Sequence, residues 1–326
     1  MERLPDMLTH LLEKRKAFFI LIGFLFFLLV IPPFLSRYKL ELLTQTLIWA
    51  IMAMSLDILM GYTGLGSLGH ATYMGISAYS TAIIMTRYHG TFLEALALGI
   101  IFPAITAAIF GLVALRAVSH YFLLITLALG MVIWGLANRW VSFTMGDTGI
   151  ANIPRPDLGL PWSLTSTLNF YYFVFVFFAI ALVLMFMIIR SPFGKTLVGI
   201  RESESRMEAL GYNVWFHKYL IFIITGTFAG FSGIFWAFYS SFVNPVDLDI
   251  LNSIEALLMV ALGGPGTLFG AIIGAGIVVF LRNFVSVYVH RWMMIMAAIF
   301  VVTAFYAPDG IIGLIRQISK KGSRQM

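Results

Sequence analysis

The sequence contains no cysteine, which excludes disulfide bonds, thiolate catalysis and metal sites built on cysteine sulfur. It also has little charge: only 11% of its 326 residues are Asp, Glu, Lys or Arg, whereas about 25% is usual in soluble domains. Because so few charges cannot cover a water-facing surface, an ordinary soluble enzyme, a disordered chain and a coiled coil are all excluded. With 60% hydrophobic residues, the chain is predicted to be an integral membrane protein.

Motifs for nucleotide binding, metal binding and catalysis are missing or incomplete. Gly194-Lys195-Thr196 is similar to the end of a phosphate-binding loop, but the position where that loop needs its first glycine is Ile189. The chain therefore encodes no ATP site, and an ATP-driven function would depend on a partner. None of the six histidines forms an H-x-x-x-H or H-E-x-x-H pair, which disfavours a metal site. Ser67 and His70 could act as nucleophile and base, but no third group orients them, so no catalytic residue is predicted.

Apolar runs separated by polar breaks divide the chain into segments near the roughly 20 residues that a membrane-spanning helix needs. They lie near residues 17–35, 40–60, 68–86, 91–115, 121–138, 168–190, 217–240, 253–264, 267–287 and 292–308. We therefore predict an all-α polytopic membrane protein with about ten transmembrane segments. The segments at 68–86 and 253–264 are short, and either could be re-entrant or broken.

The distribution of basic residues predicts the orientation. They gather in three polar stretches, at 3–16, 190–218 and 316–324, and such clusters mark the cytoplasmic side of a membrane protein. With the N-terminus inside and ten crossings, fourteen of the 21 Lys and Arg residues lie inside and seven outside. The net charge of +6 does not indicate nucleic-acid binding, because that would require a basic and aromatic face on a soluble domain.

This orientation divides the chain into three parts. Residues 1–16 are predicted to be a cytoplasmic N-terminal segment, residues 17–308 the transmembrane domain, and residues 309–326 a cytoplasmic C-terminal tail. Within the transmembrane domain, the loop at 191–216 is predicted to be cytoplasmic and the loop at 139–167 to face the outside.

Two glycine-rich breaks interrupt sequence at membrane depth, at residues 61–71 and 263–271. They align as G-x-G-[ST]-L-x-x-A with an offset of 200 residues, from Gly64 to Gly264. Unwound backbone is tolerated in a membrane only when it is packed in protein or lines a wet cavity, and paired breaks in corresponding halves indicate a transport site. Tight helix packing through Gly266, Gly270 and Gly274 is the alternative. Both interpretations remain open.

Polar side chains accompany the first break, and two carboxylates fall within apolar runs. An acidic residue inside a membrane is costly and is a functional candidate by default, although an internal helix-to-helix hydrogen bond is the alternative. Proton-coupled transporters have several acidic residues with basic partners inside the membrane, whereas these two carboxylates are almost the only such groups in the predicted spans. This scarcity disfavours a proton-driven mechanism. The candidates for a substrate path are Thr63, Ser67, His70, Thr72, Tyr73, Asp57 and Glu255.

Residues 202–210 place charged and apolar residues at helical spacing, and Gly211 supplies the stop. Met207 and Leu210 are predicted to share one face, while the charged side chains stay in water. A short charged helix between two spans suits docking into a groove on another protein, and a solvated connecting helix is the alternative. The candidates for this contact are Arg201, Glu202, Glu204, Arg206, Met207, Glu208, Ala209, Leu210 and Gly211.

Six segments carry a resemblance to one family. They are G-Y-T-G…S-L-G-H-A at 61–71, Y-F…T-L-A at 121–128, G-D-T-G-I-A-N-I-P-R-P at 146–156, R-E-S-E…E-A-L-G at 201–211, S-I-E…G-G-P-G-T at 253–267 and P-D-G-I at 308–311. In this order they resemble the permease subunits of branched-chain amino acid ABC importers, the Liv type. The resemblance covers about residues 40–315 and is closer to the longer of that family's two permeases.

The resemblance implies that this chain lies in the bacterial inner membrane and works with several partners. These are a second homologous permease, two ATP-binding cassette ATPases that hydrolyse ATP, a periplasmic substrate-binding protein and a small-molecule substrate. No cofactor bound by this chain and no nucleic acid is implied. The loop at 191–216 would couple to an ATPase. The loop at 139–167 would receive the binding protein, with Asp147, Asn152 and Arg155 as candidate contacts, and Asp147 replaces the family's usual small residue.

The resemblance leaves the substrate open. It implies import of branched-chain or other hydrophobic amino acids, but permeases for urea, short-chain amides and aromatic acids share these motifs. A secondary transporter or channel, which would need no ATPase, and a membrane enzyme, which would release product without moving substrate, are the competing classes.

Overall fold

The computed structural model describes residues 23–117, 119–157, 159, 163–288, 292–306, 310, 311 and 313. The predicted cytoplasmic segment at 1–16 and nearly all of the predicted tail at 309–326 lie outside the described residues, as does the P-D-G part of the motif at 308–311, except Gly310.

Helices make up most of the described chain. They are α1 (Gly23–Phe34), α2 (Arg37–Asp57), α3 (His70–Arg87), α4 (Phe92–Ala114), α5 (Ser119–Arg139), α6 (Val141–Thr144), α7 (Thr167–Arg190), α8 (Pro192–Glu202), α9 (Glu204–Ala209), α10 (Val214–Ser240), α11 (Ile250–Gly263), α12 (Leu268–Tyr288) and α13 (Trp292–Tyr306). Each of the ten predicted segments overlaps one of these helices.

Six of the described helices are long and apolar enough to cross a membrane: α2 with its extension to Tyr62, α4, α5 from Tyr121, α7, α10 and α12. The prediction of an all-α polytopic membrane protein is therefore confirmed. Helices α1 and α11 are apolar but shorter, and eight of the 18 residues of α3 are Ser, Thr, Tyr or His. The count of ten spans and the side on which the termini lie stay predictions.

Polar side chains set several helix starts. Thr91 and Glu94 form a reciprocal capping box at α4, Ser191 caps α8 with Pro192 in its first turn, and Asn213 caps α10. Each cap satisfies an amide that the first turn of a helix would otherwise leave unpaired. These caps fix where α8 begins after α7 and where the span α10 begins.

Helix α2 lies at the centre of the bundle, and α4 and α5 lie at its periphery. In the most apolar stretch of α2, 83% of the residues are buried inside the chain, against 28% for α4 and 22% for α5. The outward faces of α4 and α5 are apolar, as expected of surfaces that meet lipid or another membrane subunit. Phenylalanine rings join α4, α7 and α10, for example Phe92 with Phe173 at 5.2 Å and Phe177 with Phe235 at 5.0 Å.

The loops at 139–167 and 241–252 are joined by a small antiparallel sheet. Strand β1 (Ile150–Ala151) pairs with β2 (Phe242–Val243), with Ile150 opposite Val243. A 3-10 turn follows β2, and its Asp247 accepts hydrogen bonds from Trp236 Nε1 at 2.8 Å and from the Asn244 amide at 3.0 Å. Burial raises the pKa of Asp247 above its ordinary value, and the two hydrogen bonds oppose that shift.

Candidate functional site

The first glycine-rich break is an unwound segment between α2 and α3. Helix α2 continues as a π turn at Ile58–Tyr62, residues 64–69 are non-helical, and α3 begins at His70. Gly64 has a φ of +76°, a left-handed conformation that glycine adopts at little cost. The break predicted from the sequence is therefore present, and it is about six residues long.

The second break is shorter and combines a turn with close helix packing. Residues 264–267 connect α11 to α12, with Gly264 and Gly266 at φ of +110° and +80°. A Cβ placed on Gly263 would lie 1.9 Å from the Gly270 carbonyl oxygen, and one on Gly274 would lie 1.8 Å from that of Met259. Only glycine fits at such distances, so this stretch has the tight packing that was the alternative to a transport role.

The two breaks contact each other inside the bundle. A Cβ on Gly61 would lie 2.1 Å from the Gly266 nitrogen, so the two backbones touch. Asp57 Oδ1 accepts a hydrogen bond from the Gly266 amide at 2.6 Å, whereas Asp57 Oδ2 is buried with no hydrogen-bond partner in the described part of the chain. Asp57 therefore makes the internal helix-to-helix hydrogen bond that the sequence left open, and it joins the two breaks.

Arg201, at the end of α8, reaches the same place from the loop between α7 and α10. Its Nη1 donates a hydrogen bond to the Gly61 carbonyl, and its Cγ lies 3.4 Å from where a Cβ on Gly64 would be. Arg201 as a whole is exposed, as predicted, but the sequence did not predict that its guanidinium would also satisfy a carbonyl that the break in the helix frees.

The polar side chains that accompany the first break point into the bundle. None is more than 4% exposed: Thr63, Ser67, His70, Thr72 and Tyr73. Thr63 donates to the Leu59 carbonyl, and Ser67 Oγ accepts from the Gly69 amide at 3.2 Å. Both ring nitrogens of His70 and the hydroxyl of Tyr73 lack a hydrogen-bond partner among the described residues.

Neighbouring helices also satisfy the unwound backbone. The Leu68 amide donates to Thr126 Oγ1 on α5 at 3.2 Å, and the Ala71 amide donates to Ser253 Oγ on α11 at 3.0 Å. Sequence reasoning missed Thr126 and Ser253 as partners, although both lie in motifs that carried the family resemblance. The accessible edge of the first break consists of Gly64, which is exposed, and of Gly66 and Leu68, which are partly exposed.

Glu255 lies away from the two breaks and forms an ion pair with Arg282. Its Oε2 accepts from Arg282 Nη1 at 3.0 Å, and the Arg282 guanidinium lies 5.2 Å from the centre of the Trp49 ring. Glu255 precedes Gly263 by eight residues of α11, about 12 Å along a helix axis. The view of Glu255 as almost unpaired is wrong, because the hairpin of α11 and α12 brings together residues 27 positions apart.

The charged segment between α7 and α10 forms two helices instead of one. Ser203 has extended backbone (φ −165°), ends α8 and caps α9, so the helix predicted over 202–210 begins only at Glu204. Gly211 ends the segment with a φ of +85°, as predicted. Met207 packs on Gly199, whereas Leu210 is 68% exposed, so these two side chains do not share one environment.

The other candidates for the contact with a partner protein are exposed: Glu202, Glu204, Arg206, Glu208 and Ala209. Glu204 also pairs with Lys218 of α10 at 2.5 Å. The pair fixes the start of α9 against the membrane span that follows it.

In the loop at 139–167, Asp147 and Asn152 are exposed, and Asn152 has a φ of +59°. Arg155 has a different setting. Its Nη1 donates to the carbonyls of Leu164 and Thr165 at 2.9 and 3.2 Å, its guanidinium lies 4.2 Å from the centre of the Phe170 ring, and partial burial lowers its pKa. Arg155 therefore shapes this loop by holding its middle against its C-terminal part.

No group of three or more His, Asp or Glu side chains that could hold a metal occurs in the part of the chain that the structure describes. The site is thus made of two glycine backbones, one carboxylate and one guanidinium, beside a buried polar cluster. Such an arrangement can hold or release helix breaks, and it offers backbone groups to a polar solute.

A polytopic helical membrane protein whose paired breaks meet inside the bundle has the architecture of a transport permease. The chain belongs to the family described as branched-chain amino acid transport system / permease component, whose model matches residues 38–304.

Two relatives carry the same printed name, high-affinity branched-chain amino acid transport system permease protein LivM. The one from Salmonella typhimurium is 28% identical over 93% of this chain and 77% of its own length. The one from Escherichia coli is 27% identical over 93% of this chain and 76% of its own. No solved structure matches the chain significantly.

Proposed function

We propose that the chain is the permease subunit of an ATP-driven importer in the bacterial inner membrane, and that it moves branched-chain or other hydrophobic amino acids. The family match over residues 38–304 carries this proposal, and the two relatives named for branched-chain amino acid transport support the substrate class. Urea, short-chain amides and aromatic acids are the alternative substrates. A secondary transporter is the alternative mechanism.

The proposed complex contains a second homologous permease, two ATP-binding cassette ATPases and a periplasmic binding protein. ATP is hydrolysed by the ATPases, and this chain holds no cofactor. The exposed side chains of α9, with Glu202 and Leu210 on either side, form the proposed ATPase contact. This proposal is supported by the exposure of Leu210 beside four charged side chains. Such a pattern suits an apolar interface anchor surrounded by a polar rim.

The loop at 139–167 is the proposed contact for the binding protein. Asp147 and Asn152 are exposed there, and they are the proposed contact residues. Arg155 would act through the shape of the loop, since its guanidinium is occupied by the carbonyls of Leu164 and Thr165. The pairing of β1 with β2 gives this surface a fixed backbone to display.

The first break is the proposed substrate path. An amino acid zwitterion needs donors for its carboxylate and acceptors for its ammonium, and unwound backbone offers both. Gly64 and Gly66 present backbone at the accessible edge. Ser67, His70 and Tyr73 are buried in this conformation, so they would meet substrate only in a second conformation, as alternating access requires.

Competition for uptake tests the substrate class. Cells that express the complete transporter, and lack other leucine importers, should take up radiolabelled leucine through this chain. Excess isoleucine or valine should reduce that uptake, and excess urea, acetamide or benzoate should not. Competition by urea, amides or aromatic acids alone would assign the chain to one of those substrates instead.

A further inference from the structure

Arg201 lies at the point where the cytoplasmic helices meet the membrane breaks. It occupies the last turn of α8, one residue before Glu202 of the proposed ATPase contact, yet its Nη1 donates to the Gly61 carbonyl. The same nitrogen lies 3.6 Å from where a Cβ on Gly266 would be. One side chain from the cytoplasmic loop therefore reaches both breaks.

The backbone contact that Arg201 covers is unusually close. Gly61 and Gly266 touch so tightly that a Cβ on Gly61 would lie 2.1 Å from the Gly266 nitrogen and 2.5 Å from its Cα. Since any side chain at Gly61 would separate the breaks, their contact depends on glycine and on whatever holds the two backbones together.

Asp57 holds the other side of this contact. It lies one helical turn before Gly61 on α2, and its Oδ1 accepts the Gly266 amide at 2.6 Å. A carboxyl group therefore binds the second break, while a guanidinium binds the first. The guanidinium makes a charge-assisted hydrogen bond, which is roughly twice as strong as a neutral one, so the four groups define one unit.

We infer that Arg201 and Asp57 are positioning residues of a latch, formed by Asp57, Gly61, Arg201 and Gly266, that keeps the two breaks together until the cytoplasmic helices move. Met207 of α9 packs on Gly199 of α8, two residues before Arg201. A displacement of α9 by a partner would therefore shift Arg201, free the Gly61 carbonyl and let the breaks separate. This inference rests on the proposed function for its partner, but the latch itself lies within this chain.

The latch differs from the two simpler roles for Arg201. If Arg201 contacted an ATPase directly, its loss would weaken assembly and leave the breaks unchanged. If it only satisfied a carbonyl, its loss would lower stability without making the breaks more accessible. Accessibility of the first break is therefore the measurement that separates the three roles.

Leu68, partly exposed at the edge of the first break, is a suitable reporter. Because the chain has no cysteine, Leu68→Cys is the sole thiol, and its rate of reaction with N-ethylmaleimide can be measured on the full chain in native membranes. The test variant is Arg201→Met. Arg190→Met, at the end of α7 where the guanidinium only lies over Phe186 at 4.6 Å, is the matched control.

We expect Arg201→Met to raise the labelling rate of Leu68→Cys at least threefold, Arg201→Lys to raise it less, and Arg190→Met to leave it unchanged. In the assembled transporter, Arg201→Met should retain ATPase co-purification and raise the number of ATP molecules hydrolysed per substrate imported.

Equal labelling rates in the parent and in Arg201→Met would overturn the latch, as would lost ATPase binding with unchanged labelling. If Arg201→Met is not recovered in membranes, the Arg201→Lys and Asp57→Leu variants decide by the same assay. Faster labelling in a chain that imports no amino acid would retain the latch and refute the proposed function, so the two failures are distinguishable.

Discussion

The ion pair between Glu255 and Arg282 gives a prediction whose size can be worked out from the structure. The two groups lie 3.0 Å apart, and their side chains are 12% and 19% exposed. Removing one partner of a buried pair costs about 3–5 kcal/mol, because the other charge stays buried without compensation. Since water reaches this pair to a small extent, we expect Arg282→Met to cost about 3 kcal/mol, the lower end of that range.

The chain offers a matched control on its surface. Arg37 and Glu41 form a pair of similar length, 3.1 Å, but their side chains are 82% and 42% exposed. Exposed pairs contribute at most about 1 kcal/mol, so Arg37→Met should change stability little. The double variant Glu255→Gln with Arg282→Met removes both buried charges and should recover most of the loss, since a buried pair can be replaced at little net cost.

Thermal unfolding of the purified chain in detergent is the assay. One kcal/mol shifts Tm by about 2 °C in a long chain, so Arg282→Met should lower the apparent Tm by about 6 °C and Arg37→Met by less than about 2 °C. The double variant should lie closer to the parent than Arg282→Met does. Equal shifts for the two single variants, or a double variant less stable than Arg282→Met, would show that the buried pair contributes no more to stability than the exposed one.

Three further predictions concern packing, topology and coupling. Gly274→Ala should destabilise the chain by about 1–3 kcal/mol and so lower Tm more than Gly276→Ala does. A Cβ at Gly274 would lie 1.8 Å from the Met259 oxygen, whereas a Cβ at Gly276 would lie 3.6 Å from its nearest contact. Equal Tm values for the two variants would contradict this prediction. Asn152→Cys should react with an impermeant thiol reagent added outside intact cells, and labelling only after membrane disruption would reverse the predicted orientation. Replacing Glu208 and Leu210 with Lys should abolish uptake and ATPase co-purification while the chain stays in the membrane, and survival of both activities would remove α9 from the proposed contact.

The sequence predicted the helical class, the positions of the apolar segments and both breaks, because these depend on local features such as apolar runs and glycine spacing. It did not predict that Arg201 binds the Gly61 carbonyl, 140 residues away, or that Glu255 pairs with Arg282. Contacts at such separations depend on how helices pack, which a single sequence does not encode locally.

The polar residues near the first break show a second reason why the site could not be predicted fully from the sequence. Beside glycines at membrane depth, Ser67 and His70 were expected to line a path, but both are fully buried. An unwound segment frees amides that lipid cannot satisfy, and Ser67, Thr126 and Ser253 accept hydrogen bonds from three of them. Three polar side chains near the break thus accept hydrogen bonds from the unwound backbone, and a role for such side chains in transport stays a prediction.

The proposed function requires that this chain import its substrate with energy from ATP hydrolysed by partner subunits. The most direct test is uptake of radiolabelled leucine into proteoliposomes that contain the chain with its second permease and two ATPases, with ATP inside and the binding protein outside. Leucine should accumulate only when both ATP and the binding protein are present, and accumulation should stop when the phosphate-loop lysines of the ATPases are replaced. Leucine uptake that continues without ATP, or with inactive ATPases, would contradict it.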